Sequence, residues 1–148
     1  MTAANIFIAP HKIDRVSREL SSELGSALDT LSGIFHYEFE CPTSRRNVSP
    51  RDYAEWREAK TLVSHLKYPD PAEPVRAEDM GWALGRVLAY PGLTVIGWAP
   101  VLEKVAKILG IDLSRPHPIP RDLQRKINNE LQLAPQGEAA MAVAVAAA

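Results

Sequence analysis

Proline constrains this chain more than any other residue: its 12 prolines fall between the apolar stripes and not inside them. A proline has no backbone N–H and clashes with the preceding turn, so a helix can start at one but cannot run through it. Pro10, Pro42, Pro50, then Pro69, Pro71 and Pro74, then Pro91, Pro100 and the closely set Pro116, Pro118 and Pro120 cut the chain into short segments. Each segment carries its own periodicity. The expectation is a mainly α fold, a compact bundle of about five helices on one core.

The first stripe, Ile13, Val16, Leu20, Leu24, Leu28 and Leu31, has the three-to-four spacing of an amphipathic helix, with charged residues on the other face. Beyond Gly33 the spacing drops to two. Phe35, Tyr37, Phe39 and Cys41 alternate with His36, Glu38 and Glu40, which predicts a minor β element over Phe35 to Cys41. Such a strand needs a partner. Asn5 to Ala9, Leu93 to Trp98 and a second copy of the chain are the candidates.

Ser49, Pro50 and Asp52 predict a helix start: a capping hydroxyl, a proline where the missing N–H costs nothing, and an acid against the helix dipole. Tyr53, Trp56, Val63 and Leu66 form its buried stripe, and it must end near Lys67 because Tyr68 precedes Pro69. Asp70 to Pro74 reads as an extended linker. The next helix, Ala77 to Tyr90, buries Met80, Leu84, Val87 and Leu88. Its Gly81 and Gly85, one turn apart, point to tight helix packing. Pro100 opens a further helix with Val101, Leu102, Val105, Ile108 and Leu109, closed by Gly110 as a left-handed cap with Ile111 folding back. Pro120 to Leu131 gives the last helix, on Leu123, Ile127 and Leu131. Residues 1–136 thus read as one helical domain and 137–148 as an alanine-rich tail suited to assembly.

A net charge of -1 provides no global attraction to nucleic acid or acidic lipid, so any such binding needs a local patch. The single Cys41 excludes an internal disulfide, no run of 18 apolar residues occurs, and Met1 to Pro10 lacks the features of a secretory signal. These features predict a soluble, cytoplasmic protein without membrane contact. Richness in alanine, proline and arginine suits a GC-rich genome, bacterial or phage.

No nucleophile elbow, phosphate loop or dinucleotide fingerprint is present, so no catalytic residue, cofactor or metal ligand is assigned. His36, Glu38 and Glu40 on one strand face would be the nearest approach to a metal set, and His36, Glu38 and His117 are the residues to test for an enzyme. Cys41 falls on the apolar side of that strand and reads as structural. The run Pro100 to Leu113 resembles the helix that follows the recognition helix in phage-repressor-type helix-turn-helix domains. It covers about one tenth of the chain. Upstream, Tyr90, Pro91, Gly92 and Leu93 depart from that pattern. The resemblance implies a DNA-binding regulator. Glu103 to Lys126 adds a local excess of base from Lys104, Lys107, Arg115, Arg121, Arg125 and Lys126.

Aromatic and arginine residues at segment edges, Arg45, Arg46, Trp56 and Trp98 among them, are the types enriched at interfaces. The leading expectation is therefore a non-enzymatic protein-interaction module, an adaptor, assembly factor or phage-type inhibitor. Its partner would be another protein or copies of itself. The alternative is a DNA-binding helix-turn-helix-like regulator using residues 103–126.

Overall fold

The structure, a computed structural model, describes residues 6–37, 49–70, 72–89 and 99–133. Five helices are named among them: α1 (Pro10–Phe35), α2 (Pro50–Ser64), α3 (Ala77–Leu88), α4 (Ala99–Leu109) and α5 (Arg121–Leu133). The protein is mainly helical, and the helices begin and end close to where proline and capping residues place them. Ser49 Oγ accepts the Asp52 N–H at 3.1 Å, with Pro50 at the first helical position. At its other end α2 tightens into i→i−3 bonds, His65 to Leu62, Leu66 to Val63 and Lys67 to Ser64, before Pro69.

The predicted strand at Phe35 to Cys41 is corrected in part. Phe35 is the last residue of α1, and His36 and Tyr37 continue as a wider helical turn. Residues 38–41 lie outside the described residues. Phe35 completes the series Leu24, Leu28, Leu31, Phe35 at spacings of four, three and four, and it is buried while Tyr37 is 61% exposed. A half-buried strand would have put both rings on one face. Helix α1 also departs from helical dihedrals at Leu20 (φ −123°, ψ 20°), next to the Ser21 and Ser22 pair, a setting in which kinks occur.

Contacts between residues far apart in the sequence fix the helix directions. Lys104 on α4 meets Glu23 of α1, and Gly110 at the end of α4 lies by Lys12 in the first turn of α1, so these helices run antiparallel. Phe35 packs on Tyr53 with ring centroids 5.5 Å apart, and Gly25 lies by Lys67, which makes α1 and α2 antiparallel as well. Arg86 near the end of α3 reaches Asp52 and Glu55 at the start of α2. Between these helices one apolar core forms, with Val16, Leu24, Val63, Leu66, Met80, Leu84, Val105 and Ile127 fully enclosed. Burial of each such side chain contributes about 1.5–3 kcal/mol.

The N-terminal segment does pair in extended form, but with a different partner from those expected. Ile8 N–H donates to Val75 C=O and Ala77 N–H donates to Ile6 C=O, both at 2.9 Å, around an antiparallel bridge of Phe7 with Arg76. This short pairing draws the chain start onto the entry to α3, whose buried Val75 follows an Asp70-centred turn in place of the expected extended linker. Gly110 takes φ +76°. Ile111 N–H bonds Ala106 C=O at 2.9 Å and Gly110 N–H bonds Lys107 C=O at 3.3 Å, the two bonds of a Schellman cap. That cap turns the chain into the connector at residues 110–120, which positions the site described next. Among the described residues no helix is long and apolar enough to cross a membrane.

Candidate interaction cleft

Helix α3 is enclosed on most sides: Met80, Gly81, Trp82, Ala83, Leu84 and Val87 are all buried. One face carries Gly81 and Gly85, and among the described residues neither lies against another helix. An ideal Cβ on Gly81 would come within 2.8 Å of His117 Nδ1, so the imidazole ring rests directly on the Gly81 backbone. An ideal Cβ on Gly85 would meet nothing within 4 Å among the described residues. At Gly81 the close approach is made by the connector's His117 and not by a helix, and among the described residues Gly85 has an opening beside it.

That opening is a cleft of about 460 Å³ between α3 and the connector. Its apolar surfaces come from Trp82, Leu88, Leu113 and Pro116, and its polar groups are Arg86, Arg115 and His117. The volume lies within the range of small-ligand and short-peptide sites. Several interactions hold the walls. Asp112 Oδ1 accepts from Ser114 Oγ at 2.6 Å and from Ser114 N–H at 3.0 Å, and these bonds keep its carboxyl below the usual carboxylate range. His117 Nε2 lies 2.6 Å from the Asp112 carbonyl, so that nitrogen carries the proton it donates. Arg86 sits over the Trp56 ring, 5.4 Å from its centroid, with Asp52 and Glu55 at 3.5 and 3.6 Å.

Among the described residues, the sequence-predicted interaction residues do not gather on one surface. Trp56 is buried in the core under Arg86 and is not a partner-facing anchor. Arg45, Arg46 and Trp98 lie outside the described residues. Of the six bases between residues 103 and 126, Lys104 faces Glu23 at 3.9 Å on the α1 side, and Lys126 faces Glu58 at 3.2 Å on the α2 side. Arg125 lies 4.0 Å from Asp122. Lys107 and Arg121 are exposed on α4 and α5, and Arg115 alone lines the cleft. The basic run is contiguous in sequence and divided in space, because α4 packs on α1 while α5 packs on α2.

His36 is exposed at the end of α1, and Glu38, Glu40 and Cys41 lie outside the described residues. Among the described residues no group of three or more metal-binding side chains gathers. Trp82, Arg86 and Leu113 are cleft residues that sequence reasoning passed over. The signal for them was the Gly81 and Gly85 pair on α3.

A second polar group ties helix ends together. Arg76 bonds Asp122 of α5 at 2.9 Å and lies 3.6 Å from Asp79 in the first turn of α3. The hydrogen bond from Arg76 holds the Asp122 carboxyl below its ordinary range, whereas burial pushes Asp79 up, and Asp79 Oδ1 is enclosed without a hydrogen-bond partner among the described residues. Arg57 with Glu130, and Arg51 with Asn128, add further ties between α2 and α5. These groups join elements of the fold.

Comparison with known proteins returned no match to a family model, a curated protein or a solved structure.

Proposed function

We propose that this chain is a non-enzymatic protein-interaction module, of the adaptor, assembly-factor or inhibitor kind, which engages its partner through the cleft between α3 and the connector. One observation carries the reading. The cleft joins apolar surfaces from Trp82, Leu88, Leu113 and Pro116 to a basic rim at Arg115, on walls already fixed by the Gly110 cap and the His117 contact. Walls held in place before binding lower the ordering cost that association must overcome. The DNA-binding alternative is less well supported, since Lys104, Arg125 and Lys126 each lie within 4.0 Å of a carboxylate.

The test is site-specific photo-crosslinking in host cells, with p-benzoylphenylalanine replacing Leu113 in the cleft or exposed Ser22 on α1. Discrete protein adducts from the Leu113 position alone are expected. Adducts equal at both positions, or none at either, would overturn the proposal. Duplex DNA binding that weakens steeply between low and high salt would replace it with the DNA-binding alternative.

A further inference from the structure

Resting on that interaction reading, we infer that the cleft receives an acidic peptide segment of a partner protein, with an aliphatic side chain seated over Gly85 and a carboxylate meeting Arg115. Among the described residues no acidic side chain lines the cleft, and the ionisable groups that line it are Arg86, Arg115 and His117. Arg86 is already committed to Asp52 and Glu55 and serves as a fixed wall. Asp112 is the one acid on the connector, and Ser114 holds its carboxylate through two hydrogen bonds. Arg115 is exposed and makes no salt bridge among the described residues. Its charge acts on the nearby Asp112 carboxyl, which Ser114 already holds, and its guanidinium stays open to a ligand on the cleft rim.

The apolar half of the inference comes from Gly85. Among the described residues its missing side chain leaves open space between Trp82 and the connector, and an ordinary residue there would fill it. A leucine-sized group entering this space loses its contact with water at little ordering cost to the protein, because Pro116 and the His117 bond to Asp112 stiffen the opposite wall. Among the described cleft residues, the exposed Arg115 guanidinium suits one or two carboxylates next to that anchor. A nucleic-acid backbone would call for a row of free cations along its path, and the nearby bases are divided between two sides of the molecule.

The experiment is an NMR titration of the isotopically labelled full chain with three probes. These are a blocked Gly-Glu-Leu-Glu-Gly peptide, its Gly-Gln-Leu-Gln-Gly counterpart, and a short oligothymidylate. The acidic peptide should shift the Gly85 and Ala89 amides and the Trp82 indole N–H saturably, and bind about tenfold more tightly than the glutamine peptide. Arg115→Glu, at an exposed position, should lose about tenfold in affinity with an unchanged melting temperature. Gly85→Leu should abolish the shifts by occupying the space itself. Equal binding of the two peptides, or shifts that map away from the cleft, would overturn the inference, as would preferential saturation by oligothymidylate. Should the acidic preference fail while Leu113 crosslinks persist, the interaction reading survives; should the crosslinks fail, it falls independently.

Discussion

Gly110→Ala separates the energy of one backbone conformation from that of the contacts around it. At φ +76° an L-residue with a Cβ meets its own carbonyl, at a cost of about 1–2 kcal/mol. Nothing else opposes the new methyl: its nearest neighbour would be Lys12 Nζ at 3.6 Å, an ordinary contact. Alanine also restricts the unfolded chain, which returns about 0.4–1 kcal/mol. The net expectation is a loss of about 1 kcal/mol, or roughly 3 °C in melting temperature for a domain of this size. Gly33→Ala is the matched control. Gly33 is exposed within α1, has no positive φ, and its ideal Cβ meets nothing within 4 Å, so the same substitution should stabilise by about 0.5–1 kcal/mol. Urea and thermal unfolding of the two variants should therefore move in opposite directions. Equal shifts, or an unchanged midpoint for Gly110→Ala, would show that the left-handed cap does not hold this turn.

Gly81→Ala should destabilise the protein despite alanine's better helix propensity, because the new methyl would displace the His117 ring from its bond to the Asp112 carbonyl; in a His117→Ala background it should become neutral or stabilising, which a double-mutant cycle measures. Asp79, raised by burial above its ordinary 3.8, favours folding most below that value and loses the contribution as pH rises through its folded pKa, so Asp79→Asn should stabilise at pH 7 relative to acid. Asp122 is the opposite case. The Arg76 hydrogen bond lowers it below 3.8, its contribution is present above that value and lost as pH falls through the lowered one, so Asp122→Asn should destabilise at pH 7 and change little in strong acid. Denaturation midpoints across that range check both signs. Trp56→Ala should cost about 3–5 kcal/mol as a core truncation, and a surface-like change below 1 kcal/mol would contradict its burial.

What the sequence determined by itself is local. Proline and capping residues act within a turn of where they stand, so Ser49 and Pro50 start α2, Pro69 ends its run, and Gly110 caps α4 with Ile111 folding back. The three-to-four spacing likewise picked out buried faces such as Met80, Leu84 and Val87, since periodicity reports which side of one helix is apolar. Tertiary structure decided the rest. Phe35 and Tyr37 share the spacing of a strand, yet Phe35 joined α1 because Tyr53 and Lys60 offered its ring a place on that side. Phe7 found Arg76, a partner 69 residues away that no short-range pattern marks. Six bases close in sequence became separate surfaces once α4 packed on α1 and α5 on α2. The glycine pair on α3 announced a close approach without naming what approaches; the connector filled one position and left the other open. A residue's neighbours along the chain set its dihedral preferences, whereas the partners of its side chain depend on where distant segments come to rest.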